Sequence, residues 1–124
     1  MTAFLHDAVL DAALQLIVDR CDALYICSQM PTTYAEATAT YSLGTKAAPT
    51  VGVPQNGAVN GRRVVVSAIA DGSVTAGGTA SHFAMTDSGN SRLLAAQALA
   101  APVAVTNGNS FSLTSLSVTI PDAL

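Results

Sequence analysis

Residues 62–86 read RRVVVSAIADGSVTAGGTASHFAMT, and this stretch indicates the fold class most directly. It opens with a run of valines, β-branched residues whose side chains pack well on the pleated surface of a sheet. Asp71-Gly72 and Gly77-Gly78 divide the stretch, and such pairs favour turns because glycine adopts positive φ at little cost. We therefore predict three separate strands, at residues 62–69, 73–76 and 79–86.

The third of these strands alternates in character. Phe83 and Met85 fall on one face, whereas His82, Ala84 and Thr86 fall on the other. Successive side chains of a strand point to opposite faces, so this pattern is typical of a strand with one side in a core. We expect the face that carries Phe83 and Met85 to line that core.

The chain after residue 90 continues in the same way. Further strands are predicted at residues 92–99, 103–106 and 111–120, with Asn107-Gly108 as a turn, as Asn56-Gly57 and Asn60-Gly61 are earlier. Residues 92–101 favour a helix by propensity alone. Their short length, Pro102 and the strand-like runs on both sides favour a strand instead.

The last predicted strand is irregular. Phe111 and Leu113 share one parity along the chain, whereas Leu116, Val118 and Ile120 share the other. One extra residue would place all five on the same face, which predicts a bulge at Thr114-Ser115. The alternative is two strands joined by a kink.

The N-terminal part has a different period. Residues 3–20 predict an α-helix, because Leu5, Val9, Ala13 and Ile17 form an apolar stripe with Leu10 and Leu14 alongside. Asp7 and Asp11 lie on the other side, and Thr2 is a candidate N-cap. Residues 23–28 then predict a short strand. Thr33 and Glu36 have the capping-box spacing, which indicates a helical turn at residues 34–39.

These elements predict a mainly β fold in a single domain over residues 1–124. We expect a β-sandwich or partly closed barrel of six to eight short antiparallel strands with one N-terminal α-helix. Residues 1–22 form the helical segment and residues 23–124 the β domain. The helix must bury its stripe on the sheets or against a neighbouring subunit.

Composition excludes several classes of protein. Half of the 124 residues are hydrophobic, 23 are alanine, and only 10% are charged, against roughly 25% in an average soluble protein. A disordered chain has the opposite composition, with low hydrophobicity and high charge. No apolar run is long enough to span a membrane. Five Lys and Arg face eight Asp and Glu, which argues against a nucleic-acid binder. No signal peptide is recognisable, since no basic segment precedes the first apolar run.

The net charge of −3 lies entirely within residues 1–22. The other 102 residues carry only eight charged groups, which cancel. Soluble monomers keep far more charge on their surface. We interpret the shortage as a surface covered by partner proteins, the alternative being a surface made soluble by Thr, Ser, Asn and Gly.

Residues suited to chemistry are few. His82 and Asp87 would lie at opposite ends of one strand and on opposite faces, so they do not share a metal ion. Cys21 and Cys27 lack a CxxC arrangement and are expected to be free, buried thiols. The chain has neither a G-x-S-x-G elbow nor a phosphate-binding glycine loop. We expect no enzyme activity, no cofactor and no bound metal.

Candidate contacts between subunits come from three regions. The segment 1–22 carries the charge, Arg62 and Arg63 form the one basic doublet, and the region 34–53 overlaps residues 46–54, which have two Pro, one Gly and little periodicity. Adjacent strand residues face opposite sides, so one arginine pairs with an acid of its own chain and the other faces solvent or an acidic neighbour. The candidate contact residues are Leu5, Val9, Tyr34, Tyr41, Lys46, Arg62 and Arg63.

Four stretches resemble a group of short virion proteins from tailed phages and prophages. They are FLHDAVLDAAL (4–14), LYICSQMPTTYAE (24–36), GTASHFAMTD (78–87) and LLAAQALAAPVAVTNGNSF (93–111). Members are described variously as tail-fibre-like, minor tail or capsid-associated proteins. The resemblance implies a small β-rich structural protein that works in many copies and has no catalytic residues.

The expected function is therefore that of a capsid decoration (cement) protein, a homotrimer that binds over joints between major capsid subunits. It would be found in the virion, assembled in the bacterial cytoplasm, without nucleic-acid or membrane contacts. The alternatives are a tail, neck or tail-fibre-associated protein, and a receptor- or carbohydrate-binding module. The module would need exposed aromatic rings, yet the chain has only three Tyr and three Phe.

Overall fold

The computed structural model describes residues 7–56 and 61–120. The elements are α1 (Asp7–Arg20), β1 (Ala23–Cys27), a π-helix (Glu36–Thr40), β2 (Ser42–Ala47), β3 (Gln55–Asn56), β4 (Arg62–Val66), β5 (Ile69–Val74), β6 (Gly78–Asp87), a 3-10 turn (Ser88–Asn90), β7 (Arg92–Val105), β8 (Ser110–Leu113) and β9 (Leu116–Ile120). The prediction of a mainly β fold with one N-terminal helix is confirmed. β6 and β7, at 10 and 14 residues, are longer than expected.

Two antiparallel sheets share one core and do not close into a barrel. The larger sheet has the strand order β7-β6-β1-β2-β5-β8, and the smaller has the order β3-β4-β9. β4 continues into β5 through Ser67 and Ala68, and β8 continues into β9 through Thr114 and Ser115. Because β4 pairs with β9 and β5 pairs with β8, these four strands form a single two-stranded ribbon that bends from one sheet into the other.

The bend explains why Thr114-Ser115 does not form the predicted bulge. Val66 pairs with Leu116 and Ile69 pairs with Leu113, so the pairing register is the same on both sides of the bend. The alternative of two strands joined by a kink is the one observed. Phe111 and Leu113 enter the core from the larger sheet, and Leu116 and Val118 pack against it from the smaller sheet.

The predicted turn at Asp71-Gly72 is wrong, since both residues lie within β5. The chain breaks earlier, at Ser67 and Ala68, where it changes sheets. Gly72 is instead needed for close packing, because a Cβ atom there would overlap the ring of Phe111. The register shift of the ribbon lies beside this contact, between Ile69 and Gly72.

The prediction of a strand at residues 92–101 is confirmed, and β7 runs on without a break to Val105. Ala80 pairs with Val103, whereas His82 pairs with Ala98, so four residues of β7 face Ser81 alone. Pro102 lies in this bulge. β7 is also an edge strand, so the missing N–H of proline removes no necessary hydrogen bond of the ladder.

α1 packs into the shared core, but with a different face from the predicted one. Its buried residues are Leu10, Leu14 and Ile17, whereas Val9 and Ala13 are exposed. Asp11, expected to point away from the stripe, is half-buried and lies against Arg62. The core joins α1 to both sheets through Leu14, Ile17, Leu24, Ile26, Val64, Val66, Phe83, Met85 and Phe111. The start of the predicted helix, with Thr2 and residues 3–6, lies outside the described residues.

The π-helix covers the opposite face of the larger sheet. Ala37 is buried there with Cys27 and Ala84 in a second, smaller cluster. Both faces of β6 are therefore buried between Phe83 and Asp87. The predicted helical turn is confirmed at its start, where the Glu36 N–H donates to the Thr33 hydroxyl at 3.1 Å. The Glu36 carboxylate accepts from the Thr32 N–H and hydroxyl, both at 2.8 Å.

The contact between Gly72 and Phe111 gives a test of the bent ribbon. Gly72→Ala should lower the free energy of unfolding by about 1–3 kcal/mol, because the added methyl group displaces the Phe111 ring from a packed core. Urea and thermal unfolding measure the loss. Gly89→Ala is the matched control, since its Cβ atom would lie 3.6 Å from Asp87 Oδ1 at an ordinary contact distance. Equal stability of the two variants would contradict the packing described.

Candidate functional site

The side chains suited to catalysis are each engaged separately. His82 Nδ1 lies 2.8 Å from the Ser81 hydroxyl, which donates to the Ser28 carbonyl at 3.0 Å. Asp87 accepts from Arg92 and from the Asn90 amide, both at 2.8 Å. The hydrogen bond from Arg92 is the main reason that the pKa of Asp87 is lowered. In the part of the chain that the structure describes, no group of three His, Cys, Asp or Glu is placed to hold a metal ion.

Both cysteines are free thiols, as predicted. Cys27 is fully buried and its thiol donates to the Ala37 carbonyl at 3.7 Å, while the half-buried Cys21 donates to the Ala23 carbonyl at 3.5 Å. Burial raises the pKa of each thiol to about 11. Both are therefore protonated at neutral pH, and a protonated thiol is a poor nucleophile.

Three ion pairs neutralise most of the cations within the chain. Lys46 pairs with Asp71 at 3.0 Å, Arg62 with Asp11 at 2.7 Å and Arg92 with Asp87 at 2.8 Å. Arg20 and Arg63 take part in none of these pairs. No acid among residues 7–56 and 61–120 pairs with these two arginines.

The two arginines of the basic doublet have different surroundings. Arg62 faces α1, where its Nε and Nη2 donate to the two carboxylate oxygens of Asp11 at 2.7 and 3.2 Å. Its Nη1 also donates to the Asn56 side chain at 2.6 Å. This bidentate geometry is the strong form of an arginine–carboxylate pair and fixes the helix against β4.

Arg63 points from the other side of β4, since neighbouring residues of a strand face opposite ways. Gln55 and Thr119 are its partners on the two adjacent strands. Its Nε is buried and has no hydrogen-bond partner. A buried donor left without a partner costs about 1–3 kcal/mol. Arg63 is thus the arginine of the doublet whose charge no ion pair of the described residues neutralises.

Large apolar side chains are exposed at two places near these arginines. On α1, Val9 is 54% exposed and Leu16 43%, and Ala12 and Ala13 lie between them on the same outer face. Beside the smaller sheet, Val53 is 71% exposed. Val53 lies in the predicted contact region 34–53. Leu16 was not singled out from the sequence, although the spacing of Val9, Ala12 and Leu16 is itself helical and could have shown a second stripe.

The structure places the other predicted contact residues in different parts of the fold. Tyr34 and Tyr41 are half-buried at the two ends of the segment that contains the π-helix, and Tyr41 packs on the second cluster. Lys46 lies in β2, and residues 50–52 run beside β4, where the Gly52 N–H donates to the Val65 carbonyl at 2.8 Å and the Thr50 carbonyl accepts from the Ser67 N–H at 2.9 Å. Leu5 lies outside the described residues.

A groove of about 250 Å³ lies between the β7 bulge and the bend of the ribbon. Its lining residues are Leu99, Ala101, Val103, Ser112, Leu113, Thr114, Ser115 and Leu116. They include no ionisable side chain, so the groove offers apolar contact and hydroxyl groups rather than acid–base chemistry. Among the described residues, no helix has the length and apolar character needed to cross a membrane.

The buried thiols predict a loss of stability at high pH. On unfolding their pKa returns from about 11 to the ordinary value of 9.0, so the unfolded chain loses these protons first as the pH rises. The free energy of unfolding should therefore fall between pH 9 and pH 11. Urea unfolding at these two pH values should show a smaller fall for the Cys21→Ala/Cys27→Ala variant than for the wild type. An equal fall in both would show that the thiols are not shielded in the folded state.

Comparison with known proteins gives no match: no protein-family model, no curated protein and no solved structure is similar to this chain.

Proposed function

We propose that this chain is a non-enzymatic structural protein of a tailed-phage virion, and specifically a capsid decoration protein. In this role, homotrimers bind over joints between major capsid subunits. The observation that carries the proposal is the state of its few charges. Three of the five Lys and Arg are neutralised inside the chain, while Val9, Leu16 and Val53 are exposed.

A surface with few charges and exposed apolar side chains is typical of a protein that other proteins cover in an assembly. Small soluble domains typically carry about 25–35% Lys, Arg, Glu and Asp on their surface, whereas this chain has 10% charged residues in total. Association with other proteins would cover the exposed valines and leucine and give an acidic partner to Arg63, which has none among the described residues. The resemblance to short virion proteins supports the same role.

Stabilisation of a shell by such a protein needs no chemistry. A protein that binds the assembled shell and not its loose subunits stabilises the assembly by mass action, by about 2.7 kcal/mol per site at a free concentration one hundred times Kd. The effect accumulates over many identical sites. The state of the potentially reactive side chains is consistent with this passive role. The two thiols are protonated at neutral pH, and the Asp87 carboxylate is hydrogen-bonded to Arg92.

A receptor- or carbohydrate-binding module is less well supported. Stacking on a sugar needs an exposed aromatic ring. In the described part of the chain, Tyr25, Tyr34 and Tyr41 are half-buried, and Phe83 and Phe111 lie in the core. Strong, specific binding on a glycan array would favour this alternative over a structural role.

Copy number in the particle tests the proposal. Virions that carry this chain should contain hundreds of copies, measured by quantitative mass spectrometry against the major capsid protein. Electron microscopy of the same virions should place the density on the shell. Virions that lack the chain should release their DNA at a lower temperature. Six, twelve or a few dozen copies, or density on the tail or neck, would instead assign the chain to those structures.

A further inference from the structure

We infer that copies of this chain join head to tail, with the outer face of α1 docked on the outer face of the smaller sheet of a second copy, and with Asp19 paired to Arg63. This inference rests on the proposed function, in which the chain acts as an oligomer, and it names the two surfaces through which that oligomer forms. The helix face consists of Val9, Ala12, Ala13, Leu16 and Asp19. The sheet face consists of Val53, Gln55, Arg63, Val65 and Thr119.

The helix face is a second apolar stripe. α1 already buries Leu10, Leu14 and Ile17 in the core, yet Val9 and Leu16 present their side chains to solvent on the opposite side. A surface helix of a monomer usually has one apolar stripe and a polar outer face, and a helix that is apolar on both sides is usually covered on both. The outer side of α1 therefore has the character of an interface.

The sheet face has apolar surface and an unmatched cation. Val53 is the most exposed of the large apolar residues that the structure describes, and Val65 is half-buried on the same face as Arg63. Among the described residues no acid pairs with Arg63, and its Nε is buried without a hydrogen bond. A carboxylate of a second copy would offset the charge of this guanidinium, because arginine and carboxylate form charge-assisted pairs.

Asp19 is the acid that fits. It is exposed, it lies three residues after Leu16 on the helix face, and it accepts a hydrogen bond from the Gln15 amide at 2.9 Å. It also lies in the last turn of α1, where the helix dipole disfavours a negative charge. A cation on the neighbouring copy would offset that disadvantage. Arg20, also exposed and four residues after Leu16, lies on the same helix face, so this face carries one acid and one base, and Asp19 is the group that can pair with Arg63.

The two faces cannot meet within one chain. α1 packs on the inner side of β4, where Asp11 binds Arg62, whereas Arg63 points from the outer side. A contact between different faces of identical chains is heterologous, and it forms a closed ring when the rotation between copies closes. A homotrimer, as proposed above, is one such ring.

A charge exchange tests the pairing in the full-length chain. Analytical ultracentrifugation and native mass spectrometry should show an oligomer for the wild type. Arg63→Glu and Asp19→Lys should each weaken association by at least about tenfold, as expected for loss of one charged pair at an interface. The double variant Asp19→Lys/Arg63→Glu should restore it, because the pair is re-formed with its charges exchanged. Lys46→Glu is the matched control: it makes the same change of charge at an exposed pair and should leave association unchanged.

The apolar part of the interface has its own test. Leu16→Asp should dissociate the oligomer, while Met30→Asp should not, although Met30 is exposed to a similar extent, 45% against 43%. Both positions lie outside the core, and thermal unfolding confirms that each variant is folded. These substitutions are preferable to deletion of residues 1–22, which would also remove Leu10, Leu14 and Ile17 from the core.

The outcomes separate this inference from the proposed function. A monomeric wild type at micromolar concentration, unchanged association of the single variants, or a double variant that stays dissociated would overturn the interface. Hundreds of copies on the shell would still support a decoration protein in that case. Conversely, restored association in the double variant supports the interface even if the copy number assigns the chain to a tail or neck.

Discussion

The ring of Phe111 in β8 packs directly on the backbone of Gly72 in β5. These two strands belong to the ribbon that connects the two sheets. The ribbon enters the larger sheet as β5 and β8 and the smaller sheet as β4 and β9, with an unchanged register across its bend. Both sheets can therefore contribute to one core, which α1 completes with Leu14 and Ile17. A side chain at position 72 would displace the Phe111 ring and push β5 away from β8 within the ribbon.

The packing of α1 on β4 also determines which arginine of the doublet forms an ion pair. Because α1 must lie on the inner side of β4 to bury its leucines, Asp11 meets Arg62 there in a bidentate pair. Arg63, one residue further along the strand, is then directed to the opposite side and away from the acids of α1. The fold thus neutralises one arginine and leaves its neighbour with a buried, unpartnered donor. Only 10% of the residues are charged, so each arginine outside the ion pairs of the described residues makes up a large share of the charge of this protein.

Much of the fold was predictable from local patterns. Valine-rich and alternating runs indicated β structure, the helical period indicated α1, and the spacing of Thr33 and Glu36 indicated the turn that now covers the second face of the larger sheet. The errors share one cause. Asp71-Gly72 resembles a turn, and Thr114-Ser115 resembles a bulge, because a glycine or a change of parity looks the same whether the chain turns, bulges or changes sheets. Only the partner across the ribbon distinguishes these cases.

For the candidate site, the sequence by itself determined the shortage of charge, the arginine doublet and the opposite directions of its two side chains, because these depend only on composition and on the two-residue period of a strand. The tertiary structure alone decided which arginine found an acid and which apolar residues of α1 stayed exposed. Leu10 and Val9 are adjacent and both apolar, and only the rotation of the helix against the sheets buries one and exposes the other. Long-range packing sets that rotation, and no local pattern contains it.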